Sequence, residues 1–279
     1  MGKVDDTEAE FLGMVANLDY NLGRITQHLK DRRLEKDTII VWMNDNGGTH
    51  GLDVYNAGMR GCKATAWPGG SRAMSFWKWP ERWRPHAVNN LTAHLDVLPT
   101  LCEIAGAKVP ADLLPKLDGW SLCPLLESVS PISWHDDRAL FHHVGRWPSG
   151  LAADHKYAMV AVQSGDYLLV RSEPCSSPEC LKYASQCTTL RQVQGGLRRA
   201  TYTKDNAAVH WGVTAQGNWS LFDLAHDMAC QLDLSSSKPD VTAKLAAAYD
   251  NWWDGIYPAM IEQGGDKGAP EPLNGKAKK

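Results

Sequence analysis

No stretch of this 279-residue chain reaches the roughly 20 consecutive apolar residues that would span a bilayer. Neither sign of charge is in large excess. The 29 Lys and Arg stand against 32 Asp and Glu, a net charge of −3 at pH 7, so no basic field is offered to nucleic acid. A C-x-x-C pair is missing, and so is any internal repeat. The opening residues 1–10 are acidic and polar, unlike the apolar core of a signal peptide.

What is present is ordinary globular material. With 43% hydrophobic and 22% charged residues, the chain can build one large domain, or a large one and a small one. Seven cysteines are more than a cytosolic chain of this size needs. Cys62, Cys102 and Cys123 are scattered, whereas Cys175, Cys180 and Cys187 cluster in one polar stretch. That cluster favours disulfides and an oxidising compartment, with zinc ligation as the competing reading. Two of the three are expected to pair and Cys230 to take the third, leaving Cys102 as a free thiol.

The organisation reads as follows. Phe11, Met14, Val15, Leu18, Leu22, Ile25 and Leu29 recur at helical spacing, and Thr38 to Met43 is a continuous apolar run suited to a strand buried on both faces. Helix then buried strand is half of an α/β layer fold. A Gly-rich loop follows from Asn44 to Arg72, then a short strand within 73–79. Next comes a helix with Asp96 at its cap, Pro99 in its first turn and Gly106 at its end. Beyond a change of character near Pro124 to Pro131, strands are expected at 139–144, 157–162, 167–172 and 219–224, with a hairpin turn at Ser164-Gly165-Asp166. A helix over 239–256 closes the chain, and the Gly-, Pro- and Lys-rich tail 264–279 is expected to be disordered.

Three segments carry the chemistry. Asp45 and Asn46, in Asn44-Asp45-Asn46-Gly47-Gly48, offer two adjacent hard oxygen donors after a strand end, where α/β folds bind ligands, although Asn-Gly is also a turn signal. Lys63, in Met59-Arg60-Gly61-Cys62-Lys63, can place a point charge on an anionic oxygen or stand as a solvated cation. His94 begins His94-Leu95-Asp96-Val97-Leu98-Pro99-Thr100 and reads first as structural. Taken in order with Leu117-Asp118-Gly119-Trp120-Ser121-Leu122 and Leu221-Phe222-Asp223-Leu224, these segments resemble the type I sulfatases, arylsulfatase-like enzymes of the alkaline phosphatase superfamily.

The resemblance implies an α/β/α sandwich, represented by its C-terminal half over residues 1–128, and a small antiparallel α+β domain over 129–263. It implies sulfate ester hydrolysis at a Ca²⁺ site, Ca²⁺ in preference to Mg²⁺. Asp45 and Asn46 match metal ligands, and Lys63 matches the lysine on a sulfate oxygen. The substrate would be a sulfated small molecule or glycan, and the enzyme periplasmic or secreted. Family members use a formylglycine made within Cys/Ser-x-Pro-x-Arg, and no such string occurs here. No paired aspartate follows an apolar run either. The chain is therefore expected to be N-terminally truncated, without a nucleophile and inactive alone. Cys62 stands where the family has glycine, and Pro68 where it often has glutamate.

His142, His143 and Arg146, in Phe141 to Trp147, are further candidates for substrate contact, although consecutive strand residues face opposite ways. Trp77, Trp79 and Trp83 are candidates for sugar stacking. The competing readings are a phosphodiesterase or phosphonate hydrolase of the same superfamily and a non-catalytic cation-binding module.

Overall fold

The computed structural model describes residues 6–49, 51–52, 55–145, 147, 150–173, 175 and 218–263. In chain order its elements are α1 (Asp6–Asp31), β1 (Ile40–Met43), α2 (Pro68–Ser71), β2 (Ser75–Lys78), α3 (Val97–Ile104) and α4 (Cys123–Glu127), then β3 (Ala139–His143), β4 (Val160–Ser164), β5 (Tyr167–Arg171), β6 (Ser220–Asp223) and α5 (Pro239–Glu262). Two compact units result, one of Met1–Asp45 with Ala73–Arg138, the other of Asn46–Arg72 with Ala139–Lys279. The Gly-rich segment falls in the unit that includes Ala139–Lys279.

In the first unit β1 pairs antiparallel with β2, Ile40 opposite Lys78 and Met43 opposite Ser75. Burial of β1 on both faces was expected, yet all four of its residues are only half-buried. The reason is that β2 is its sole strand neighbour among the described residues. On α1 the apolar stripe is likewise open: Met14, Leu18 and Ile25 are 59%, 55% and 56% exposed. Leu18→Glu and Ile25→Glu should therefore shift unfolding stability by less than about 1 kcal/mol while sharply lowering binding of an apolar dye to the 279-residue chain. A large destabilisation in urea titration would show that this face is packed.

The core of this unit is Trp83, Leu122, Leu125, Leu126 and Trp134. Trp77 and Trp79 meet Trp83 edge to face, and the Trp79 indole N–H donates to Lys36 O at 2.8 Å. This trio is thus occupied with packing, and Trp83 is buried.

Asp96 sits before α3 but does not cap it with its side chain. Its fully buried carboxylate accepts instead from Ala93 N (2.7 Å), Trp120 N (3.0 Å), Arg138 Nη1 (2.8 Å) and Arg138 Nη2 (2.7 Å). Thr100 Oγ1 accepts from Leu122 N at 2.8 Å and donates to the Asp96 carbonyl. A Cβ at Gly119 would lie 1.9 Å from Leu95 O, so only glycine lets the Leu117–Leu122 segment close on the turn. Asp96→Ala strands a buried Arg138 and should cost about 3–5 kcal/mol in urea unfolding, with loss of near-UV dichroism from Trp120 and Trp134.

In the second unit β3, β4, β5 and β6 form an antiparallel sheet in that order. Gly165 and Asp166 make the two-residue turn between β4 and β5, Gly165 at φ 52°. β4 starts later than expected because Met159 takes φ 55°, outside strand geometry. One sheet face packs Val160, Val162, Leu169 and Leu221 against Leu245, Tyr249 and Trp253 of α5, which runs past the expected end at 256 and contains Pro258. The other face packs Ala161, Leu168, Val170 and Phe222 against Ala66 and Trp67 from the Gly-rich segment. Coverage on both faces explains why these strands are so uniformly apolar.

Cys102, on α3, is a free thiol. Cys230 is also a free thiol, buried beside Met228, and burial pushes it up to about 12. The disulfide expected of Cys230 is thus not formed; the core into which it packs shields it. Cys180, Cys187 and the tail 264–279 lie outside the described residues. No helix among the described residues is long and apolar enough to cross a membrane.

Candidate active site

At the end of β1 the chain is fixed twice. Asn44 N donates to Met74 O at 3.1 Å, and His94 Nε2 lies 2.7 Å from Asn44 O, which makes that nitrogen the donor. His94, considered for substrate contact, thus holds the backbone immediately before Asp45. Asp45 is exposed and Asn46 half-buried. Their donors are of the hard type that Ca²⁺ takes, but two oxygens are a minority of the roughly six to eight it requires. Among the described residues no three His, Cys, Asp or Glu side chains converge as a metal-ligand group. The pair fits such an ion as part of a ligand set.

Beyond Asn46 the backbone is interlocked. Gly47 N donates to Gly70 O (3.1 Å), Lys63 N to Gly48 O (2.9 Å) and Gly69 N to Arg60 O (2.7 Å). A Cβ at Gly47 would fall 1.7 Å from Gly69 O, and one at Gly69 2.2 Å from Gly61 O. Three segments that look separate in sequence therefore thread together through positions where only glycine fits. Lys63 sits on the turn that results. Thr65 Oγ1 accepts from Cys62 N at 3.2 Å and donates to Cys62 O at 2.8 Å, and Ala64 adopts φ 67°. Cys62 is buried, its thiol 3.3 Å from Lys63 O. Pro68 opens α2, where a missing N–H does no harm. The Lys63 side chain is half-exposed.

Sequence reading passed over Arg60. Its guanidinium lies 3.9 Å from the centre of the buried Trp67 ring, and Nη1 donates to Cys230 O at 2.8 Å. Burial lowers its basicity, an effect opposed by Cys230 and Asp227. The signal was available: an arginine and a tryptophan flank Lys63 in a loop otherwise made of small residues.

The two histidines of β3 separate onto opposite faces. His143 stacks on Trp253, its Nε2 lies 2.9 Å from His155 O, and its Nδ1 accepts from Gly145 N at 2.9 Å. Both its nitrogens are used within the protein, so neither is left for a ligand. His142 stands opposite Ala161 on the other face, and its buried Nε2 has no hydrogen-bond partner among the described residues. Arg146 lies outside the described residues.

Burial lowers both His142 and His143 to about 4 from 6.5. Well above pH 6.5 the folded and unfolded chains are both neutral at these sites. As pH falls towards 4 only the unfolded chain takes up protons, so stability declines over that window by up to about 3 kcal/mol per histidine and then levels. At pH 5 unfolding should take up close to two protons from this pair, measurable as the slope of stability against pH. His142→Leu should remove about one of them with little loss of stability at pH 7, since it deletes a buried Nε2 that has no partner among the described residues.

The comparisons agree with this architecture. Residues 6–107 match the Sulfatase family profile. A sulfatase of Formosa agariphila is 33% identical over 147 residues, 49% of this chain and 26% of its own length. Human steryl-sulfatase is 33% identical over 139 residues, 46% of this chain and 23% of its own. Among solved structures, Ps i-CgsB in complex with k-i-k-neocarrahexaose superposes with a TM-score of 0.59 at 20% identity, covering 89% of this chain and 44% of that one. The chain thus spans about a quarter of the length of these curated relatives. Its fold is the alkaline-phosphatase-like α/β fold of the solved sulfatases. With that fold and the Sulfatase profile matched over residues 6–107, the chain is similar to the type I sulfatases.

Proposed function

We propose that the protein hydrolyses sulfate esters, with Asp45 and Asn46 as two ligands of a Ca²⁺ ion and Lys63 as the cation that holds a sulfate oxygen. The observation that supports this most is the interlocked glycine loop, which presents a half-exposed lysine on a rigid turn hydrogen-bonded to Gly48. Rigid presentation matters because a charge aimed in advance stabilises developing negative charge without reorganising. A bound Ca²⁺ would add its own charge against the sulfate oxygens. Lys63 contributes its ammonium to a nonbridging oxygen, and His94 keeps the strand end from shifting under Asp45.

A nucleophile is not supplied by these residues, since no Cys/Ser-x-Pro-x-Arg string is present. Activity thus requires a polypeptide that carries the formylglycine. The k-i-k-neocarrahexaose in the Ps i-CgsB structure supports a sulfated carbohydrate as substrate.

Turnover of a chromogenic aryl sulfate tests the reading. The 279-residue chain alone should show none, and a form joined to a formylglycine-bearing segment should show turnover that a calcium chelator removes. In that form Lys63→Ala should lower kcat about 10²–10³-fold, and Asp45→Ala should abolish the metal dependence. Turnover by the 279 residues alone, equal in Lys63→Ala, would overturn it.

A further inference from the structure

The Lys63 turn is joined to the C-terminal sheet through one side chain. Arg60 lies flat over Trp67, and Trp67 is set among Ala161, Leu168, Val170 and Phe222 of β4, β5 and β6. Arg60 Nη1 donates to the carbonyl of Cys230, a residue at φ 51° in the turn after β6, while the Arg60 carbonyl accepts from Gly69 N. Asp227 holds that turn by accepting from Gln231 N (2.7 Å) and Leu232 N (2.8 Å). The guanidinium therefore bridges the loop of Lys63 to a part of the chain 170 residues away. The Arg60 Nε is buried without a hydrogen-bond partner among the described residues. A buried, unsatisfied donor is tolerated where position rather than local stability is what the side chain supplies.

We propose that Arg60 is a positioning residue for Lys63: clamped between Trp67 and the Cys230 carbonyl, it fixes the lysine turn on the C-terminal sheet. The inference rests on Lys63 being the anion-holding cation of the proposed function, and it assigns the C-terminal unit a part in shaping the anion site. Planarity is essential to this role. Lysine could keep the charge and one hydrogen bond but not the stack on Trp67.

The test compares wild type, Arg60→Met and Arg60→Lys in the full 279-residue chain by amide hydrogen exchange and by the ¹³Cε resonance of Lys63. In Arg60→Met the Lys63 amide, which donates to Gly48 O, should lose at least tenfold protection while β4 and β5 amides keep theirs, and the Lys63 ¹³Cε signal should move or broaden. Arg60→Lys should recover part of the protection. If Arg60→Met does not fold, Arg60→Lys carries the same comparison, with a partial loss expected. Unchanged Lys63 protection, or a uniform loss over the whole unit, would overturn the proposal. Titration of wild type with sulfate reads the Lys63 ¹³Cε shift separately. No response there would tell against the anion-holding role of Lys63, whereas the exchange result decides the Arg60 clamp.

Discussion

Burying one carboxylate organises the first unit. Asp96 has left water completely, and a carboxylate does so only with its oxygens fully engaged. Two backbone N–H groups and the fork of Arg138 meet that demand, and each draws a different segment to the same point. Trp120 is brought up by the backbone amide it donates, and its ring then lies 4.8 Å from the Arg138 guanidinium. Trp134 lies on the same cation, and the core residues Leu122, Leu125 and Leu126 follow from the segment so placed. The short β1–β2 pair could not organise a unit of this size by itself.

The second unit rests on a different constraint, backbone approaching backbone. Gly47, Gly69 and Gly61 are stacked at distances that exclude a Cβ, so the loop has one arrangement rather than several. That arrangement is closed underneath by Trp67, whose ring meets Phe222 edge to face at 5.6 Å. A four-stranded antiparallel sheet would ordinarily leave one face to solvent. Here the loop takes the place of a second layer, and the residues it covers are the apolar alternates of β4, β5 and β6. Loop rigidity and sheet burial are thus one packing problem with one solution.

Much of this was legible in the chain. Helical spacing pointed to α1, the Ser164-Gly165-Asp166 turn to the hairpin, and the ordered motifs to the fold and to the likeness with sulfatases. The motifs also hid their reasons. His94-Leu95-Asp96 and Leu117-Asp118-Gly119-Trp120 look like two signatures, but the structure makes them the two sides of one hydrogen-bonded junction. Periodicity could not show that junction, because it depends on a glycine meeting a carbonyl 24 residues earlier in the chain. Local pattern also misjudged β1. An apolar run states what a strand would bury if it had neighbours, and among the described residues β1 has only β2. The neighbouring histidines were separable from sequence by strand alternation, yet that His143 spends both nitrogens on the backbone required the fold.

Arg60 marks the limit of motif reading most clearly. In sequence it is a cation three residues from another cation. In the structure the two have opposite fates. Lys63 stands half-exposed on a turn, while Arg60 is drawn down onto Trp67 and spends a hydrogen bond on the carbonyl of Cys230. The chemistry of the side chains accounts for the division. An ammonium is strongly hydrated and keeps its water, whereas a guanidinium is weakly hydrated, planar and able to stack. The same charge placed three residues apart can therefore supply an exposed electrostatic group and the clamp that orients it, and exchanging the two residues would lose both.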